Sequence, residues 1–390
     1  MMIHADTQRV YLDHNATSPV RPEVLETMQR ILAGPGGNPS SMHSEGRAAR
    51  KQIEDARLQV AGLTGAKPSE VVFTSGGSEA ISAAVRGVSD RAPTDRRRIV
   101  ISATEHSAVH EAAKHAVRRG MLVVTVPCGP DGRVDVERFK TQLSGDDVAL
   151  AALHWANNET GVLQPLEEVG RACRLAGIPF LVDAVQAAGK MPIDPREVFA
   201  DMMAISGHKL GGPQGTGALI VREGITLAPL VSGGAQEKRR RGGTEAVCAI
   251  AGFGVAAALT AQRMKEEVGR LVRLRARLET RLREIFPDVR FHAQTSQRLP
   301  NTTNFALPGV PGETLVIALD LEGFAVSTGS ACASGAVEPS HVLLAMGLSE
   351  EEARSSLRVS TGWSTTGDDI DRFLDVLPRV VGQVRKGLGR

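Results

Sequence analysis

Aromatic residues make up only 3% of this chain's 390 residues, and its four cysteines, Cys128, Cys173, Cys248 and Cys332, lie far apart with no C-x-x-C pair. That spacing argues against a zinc ribbon or, in a chain this long, a disulfide framework, and it fits a reducing, cytoplasmic setting. Neither sign of charge dominates. A net charge of +2 and a pI near 8.4 are too mild to make nucleic acid or a membrane surface the main partner. No apolar run reaches the ~20 residues of a membrane span. The longest uncharged stretch, Ala246 to Ala261, is built of small residues and reads as a buried helix. Met1 to Val10 carries His4, Asp6 and Arg9 without an apolar core, so no signal peptide is expected there.

What is present is a globular composition, 42% hydrophobic, in a chain longer than one core usually serves. A large domain over 15–260 is expected, with a smaller one from 1–14 and 261–390. Short β-branched runs (Val71 to Thr74, Arg98 to Ser102, Met121 to Val126, Val148 to Leu153, Phe180 to Val182, Met202 to Ser206, Gly217 to Val221) alternate with helical periodicity over Ser78 to Val88, Ser107 to Arg118 and Leu166 to Ala176. The pattern predicts an α/β fold with a doubly wound, mostly parallel sheet. In such sheets ligands sit beyond the carboxyl ends of the strands, and Ser75, His106, Asn158, Asp183 and His208 fall at or just after those ends. From Thr260 to Phe286 a charged helix is expected, its charges most simply a solvated face, with the change of domain near Ala261.

Lys209, in Ser206-Gly207-His208-Lys209, and Asp183 each follow a parallel-type strand. An amine for a Schiff base and a carboxylate that keeps a pyridine nitrogen protonated are the two groups pyridoxal phosphate (PLP) requires. The plainer readings are a surface lysine and a helix-capping aspartate. Lysine is scarce here, however, and glycines flank Lys209, letting backbone approach a ligand. Gln186, one turn beyond Asp183, is placed to reach the cofactor's phenolic oxygen. Thr74-Ser75-Gly76-Gly77-Ser78-Glu79 leaves a strand and opens a helix, so its amides and the Ser78 hydroxyl can cradle a phosphate, as can a plain capped turn without one. Ser206 and His208 would add phosphate donors. His106 supplies a ring to stack on the cofactor and a pKa suited to proton transfer, unless it is a core histidine. Cys332 stands among small residues, Gly329-Ser330-Ala331-Cys332-Ala333-Ser334-Gly335, the setting of a working thiolate or of a free thiol in a loop. Arg358 is a candidate to grip a carboxylate, or a surface ion pair.

Together with Tyr11-Leu12-Asp13-His14-Asn15-Ala16-Thr17, Gly37-Asn38-Pro39-Ser40-Ser41-Met42-His43, Asn157-Asn158-Glu159-Thr160-Gly161 and Glu338-Pro339-Ser340-His341-Val342-Leu343, these motifs resemble the cysteine desulfurases of the nitrogen-fixation and iron-sulfur-assembly type. These belong to the class V aminotransferase group of fold type I PLP enzymes. The resemblance runs to about Leu374 and implies helices on both faces of a mostly parallel sheet plus a smaller α+β domain. It implies that Lys209 carries PLP, that His106 stacks and shuttles protons, and that Asp183 and Gln186 hold the pyridine nitrogen and phenolic oxygen. Gly77, Ser78, Ser206 and His208 would hold the phosphate with Thr244 from the second subunit of a homodimer. Asn158 and Arg358 would orient the substrate L-cysteine.

Cys332 would take the sulfur as a persulfide, L-alanine would leave, and the sulfur would pass to an iron-sulfur scaffold or another acceptor protein. No resident metal is implied, although Cys332 could transiently ligate a cluster. The rival readings are a selenocysteine lyase or another class V PLP enzyme, and a silent scaffold that only binds assembly partners. His14, Ser78 and Ala80 stand where many members carry asparagine, threonine and serine. The run Lys238-Arg239-Arg240-Arg241 reads as a solvated loop or a docking patch for an acidic acceptor.

Overall fold

The computed structural model describes residues 9–328 and 338–387. Its frame is a seven-stranded sheet built from β2 (Val71–Thr74), β3 (Arg98–Ser102), β4 (Leu122–Val126), β5 (Val148–His154), β6 (Phe180–Asp183), β7 (Met202–Ser206) and β8 (Gly217–Val221), in the order 2-8-7-6-5-3-4. Only β8 runs against its neighbours, pairing antiparallel with both β7 and β2. The central strands are near-continuous Val, Ile, Leu and Ala because both faces are covered, the condition of a parallel sheet. Side chains alternate between two cores. Val100, Ala151, Leu153 and Val182 point to one face, and Ile99, Ile101, Leu150 and Leu181 to the other.

The first face is covered by α2 (Ser44–Thr64), α6 (Leu166–Ala176) and the start of α7 (Val247–Ile285), with α1 (Pro22–Leu32) packed on α7. The second is covered by α3 (Gly77–Ser89) and α4 (Ser107–Val117), while short α5 (Val136–Gln142) enters β5. The helices end where the chain can turn sharply: α2 stops at Gly65 and α6 at Gly177, both left-handed, with φ of 67° and 64°.

The buried apolar stretch and the charged stretch expected as separate helices form one helix, α7, of 39 residues and so about 60 Å long. No proline interrupts it, and the helical period continues through the composition change. One side of its first half is buried because small residues allow close approach: a Cβ on Gly254 would meet Ala56 at 2.6 Å. Among the described residues α7 is the one helix long and apolar enough to cross a membrane, and one side of that half, with Ile250, Phe253, Ala256, Ala257 and Thr260, is buried in the protein. In the second half Leu271, Leu274, Leu278 and Leu282 form an inward stripe. Its charges are more than a solvated face: Arg270 donates to the carbonyls of Gly362 and Trp363, at 2.9 and 3.0 Å.

A separate core gathers Leu274, Leu278 and Leu282 of that stripe with Val10 and Leu12, Phe305, Phe324, Leu357, Phe373 and Leu377. Here β10 (Thr302–Ala306) lies between β9 (Arg290–Phe291) and β12 (Ser356–Ser360), both antiparallel to it, and β1 (Val10–Tyr11) pairs in parallel with β11 (Phe324–Ala325). Helices α8 (Gly312–Leu321) and α11 (Gly367–Gly387) cover this layer, and α9 (His341–Ala345) and α10 (Glu350–Arg354) lead into β12. Phe305 is fully buried there, with its ring centroid 6.2 Å from that of Phe291. Phe305→Ala is expected to cost about 3–5 kcal/mol, cavity included. Urea unfolding measures this, and a loss below about 1 kcal/mol would contradict the packing described.

Candidate active site

Because β3, β5, β6 and β7 run in parallel, their carboxyl ends lie along one edge of the sheet, and a cavity of about 260 Å³ opens there. Gly77, Ser78, His106, Asn158, Asp183, Gln186, Ser206, His208 and Lys209 line it, so most of the residues expected from sequence meet in one place. A larger cavity of about 470 Å³, walled by Asp131, Arg133, Glu167 and Glu168 among others, holds none of that set.

Lys209 leaves the 3-10 turn Gly207–Leu210 directly after β7. Its Nζ donates to the carbonyl oxygens of Asn15 and of Ala16, the latter at 2.6 Å. Burial, reinforced by the Arg358 charge, lowers its pKa to about 8, against the pull of Asp13 and Asp183. Asp183 ends β6 and accepts from the Val185 amide at 3.0 Å. Burial raises its pKa, and the nearby His106 acts in the opposite direction. His106 caps α4: its Nδ1 accepts from the Ala108 amide at 3.1 Å, so a neutral ring carries its proton on Nε2. The surrounding protein disfavours the imidazolium and lowers its pKa, against the opposing charge of Asp183.

At the start of α3 the turn is packed without slack, since a Cβ on Gly77 would lie 2.7 Å from Val185 Cγ2. Ser206 Oγ is buried and has no partner among the described residues. His208 Nδ1 lies 3.0 Å from Thr17 Oγ1, and burial lowers the pKa of that ring to about 4. A helix N-terminus, an orphaned hydroxyl, a depressed lysine and a buried carboxylate across the cavity are the donor set that fits PLP.

Two of the expected residues that the structure describes are not in the cavity wall, and a third falls outside the described residues. Arg358, on β12, donates to Asp13 Oδ1 at 2.7 Å and to the Asn158 carbonyl at 3.0 Å, one step behind the wall. Thr244 is exposed on its loop, outside the cavity. Cys332 lies outside the described residues. The flanks of its segment are nonetheless tied to the site. The Ser327 amide donates to the Arg358 carbonyl at 3.2 Å, Ser340 Oγ donates to Glu159, and His341 Nε2 lies 3.0 Å from the Glu105 carbonyl. Burial raises the thiol pKa of Cys128, Cys173 and Cys248, that of Cys173 to about 12.

Sequence reasoning missed two groups. His154 ends β5 beside Asp183 and lines the cavity, its Nδ1 2.9 Å from Glu105 Oε1 and its buried Nε2 without a partner among the described residues. Lys190 is buried behind Gln186 and bonds to it at 2.7 Å. The signals were a histidine at a strand end and a lysine four residues after Gln186.

His14 lies against Gly362, its Nδ1 3.0 Å from Ser18 Oγ. It lines a small side cavity with Lys190 and Lys209, and burial lowers its pKa to about 3. Of the basic run, Arg241 pairs with Glu79 at 2.9 Å and Arg240 donates to the Ser69 carbonyl at 3.4 Å, so half of it is held inside the fold.

An amine, an acid, a histidine and a helix N-terminus gathered at the strand ends fit a site of the PLP-dependent transferase class. The profile of the Aminotransferase class-V family matches residues 10–373. The chain is 41% identical over 378 residues to "Cysteine desulfurase IscS" of Dictyoglomus turgidum, covering 97% of this chain and 96% of that protein. It superposes on a "NIFS-LIKE PROTEIN" with a TM-score of 0.90 at 32% identity, over 96% of this chain and 100% of that one. It also superposes on "SspA in complex with cysteine" with a TM-score of 0.78 at 32% identity, over 90% of this chain and 98% of that one. The chain belongs to the class V aminotransferase family and, within it, to the cysteine desulfurases.

The lowered Lys209 pKa has a measurable sign. An ordinary lysine, near 10.5, is almost wholly protonated at pH 8, whereas Lys209 is about half neutral there. Competitive acylation of the cofactor-free protein should label Lys209 with a rate that rises with pH and reaches half its plateau near pH 8. A midpoint above pH 10 would refute the assigned environment.

Proposed function

We propose that this chain removes sulfur from L-cysteine, releasing L-alanine and leaving a persulfide on Cys332, with Lys209 as the covalent anchor of PLP. The observation that carries the reading is the convergence of Lys209, Asp183 and His106 on one cavity, the amine depressed to about 8. When bound, PLP supplies the electron sink at the substrate's α-carbon. Asp183 would hold the pyridine nitrogen and Gln186 the phenolic oxygen. Gly77, Ser78, Ser206 and His208 would hold the phosphate, with Thr244 of the second subunit.

His106, its Nδ1 committed to the Ala108 amide, would stack on the ring and move protons through Nε2. Lys209, once displaced by substrate, is a neutral amine poised to take the α-proton. Asn158 would orient the substrate carboxylate with Arg358, the latter exchanging or sharing its Asp13 contact. The thiolate of Cys332 would attack the substrate sulfur, and the C–S bond breaks as the carbon skeleton takes up a proton and leaves as L-alanine. The persulfide sulfur then passes by thiol exchange to an acceptor protein such as an iron-sulfur scaffold. Two facts support Cys332 in that role: burial disfavours the thiolate at the three described cysteines, and the flanks of its segment bond to Arg358, Glu159 and Glu105.

A homodimer in the cytoplasm is part of this reading. So is the division into a domain over 15–260 and a second from 1–14 and 261–390, which the separate cores support. The purified protein should show a visible absorbance band that shifts on adding L-cysteine with a thiol reductant, alanine and sulfide appearing together. Cys332→Ala should keep the band and lose sulfide release, and Lys209→Ala should lower turnover on the order of a thousandfold or more. A C332A variant that turns over cysteine as the parent does would exclude the desulfurase assignment of that residue.

A further inference from the structure

Lys190 is 7% exposed, and neither of its hydrogen-bond acceptors is a carboxylate. Its Nζ donates to Gln186 Oε1 at 2.7 Å and to Asn15 Oδ1 at 2.8 Å. A lysine without a counter-ion among the described residues in such a place costs stability, and burial with the Lys209 and Arg358 charges pushes its pKa well below the usual range. The chain keeps an expensive group four residues from Gln186 of the cavity wall.

The partners define what that group does. Asn15 Nδ2 donates to the Asn158 carbonyl at 3.0 Å and to Thr302 Oγ1 at 2.9 Å, so its Oδ1 is the end that faces Lys190, where Asn301 Nδ2 also donates at 3.0 Å. Gln186 Nε2 donates to the Asn15 carbonyl at 2.9 Å, an oxygen that can only accept, and Lys209 Nζ donates to that same oxygen. The oxygen end of the Gln186 amide therefore faces Lys190, and one N–H remains for the cavity that Gln186 lines.

We propose that Lys190 is a positioning residue of the active site: by bonding Gln186 and Asn15 together it holds the Gln186 amide with its NH₂ toward the cavity, as donor to an anionic oxygen of the bound cofactor. Without Lys190 the buried Gln186 Oε1 loses its partner, and the amide turns or withdraws to recover one. The same bonds steady the Asn15 carbonyl that holds the Lys209 amine. The inference rests on the PLP reading above.

The test is the pH midpoint of the visible absorbance change of the PLP-loaded protein, with no substrate present. A donor to the phenolic oxygen stabilises the deprotonated form, in which that oxygen keeps its full negative charge. Removing the donor therefore makes the proton shared with the lysine nitrogen leave at higher pH. Among the described residues the charged groups that bear on Lys190 are His14, Lys209 and Arg358, and those that bear on the Lys209 nitrogen are Arg358, Asp13, Asp183, His106 and His208; all of them remain in the variants.

Lys190→Met is expected to raise the midpoint by about one pH unit, a tenfold change. In a Gln186→Ala background, where the amide is already gone, K190M should add little. Lys190→Leu is measured in parallel so that one side chain's packing does not decide the result, and melting of the cofactor-free variants checks the fold. An unchanged midpoint in K190M and K190L, or a full additional shift in the Q186A background, would overturn the inference while leaving the cofactor reading intact. A parent protein that binds no PLP would overturn both.

Discussion

A lysine amine is a nucleophile near neutral pH only where the protein withholds water and nearby counter-charge from its ammonium form. The rest of this structure serves that constraint. Lys209 sits in a wall closed by the strand ends, receives carbonyl oxygens from Asn15 and Ala16 rather than a carboxylate, and shares its surroundings with the Arg358 charge. The parallel sheet supplies the geometry: strands pointing the same way deliver Lys209, Asp183 and His106 from three different crossovers to one edge. The two carboxylates that bear on the amine, Asp13 and Asp183, pull its pKa up without overcoming burial.

The second core is needed for the same reason. Asn15 follows the segment that pairs β1 with β11, and it meets Thr302 and Asn301 beside β10. The carbonyl that holds the Lys209 amine is thus fixed by the smaller layer, while the amine itself belongs to the large sheet. Arg358 of β12 reaches Asp13 and the Asn158 carbonyl across the same junction. α7 runs through both cores as one rod, so the two layers share a rigid element along its length.

Much of this was legible in the sequence because it depends on local pattern. The β-branched runs β3, β7 and β8 coincide with their expected bounds, since a strand buried on both faces must be apolar throughout. Residues that follow strands, such as His106 and Asp183, were placed at the site by topology alone. The unity of α7 was harder to see, because its composition changes near Ala261 while its period does not. Lys190 and His154 were missed for a different reason. A buried lysine and a surface lysine look alike in a string of letters, and what separates them is packing from Asn15, 175 residues away.

The sequence by itself determined the class of chemistry: an amine, an acid and a glycine-flanked turn, each at a strand end, are local facts that survive without coordinates. It also determined the sheet, through hydrophobic period. Only the tertiary structure decided the state of those groups. Depression of Lys209, elevation of Asp183 and the orientation of the Gln186 amide all arise from burial and from partners distant in the chain. Desolvation and hydrogen bonding are properties of the assembled wall, and no residue carries them alone.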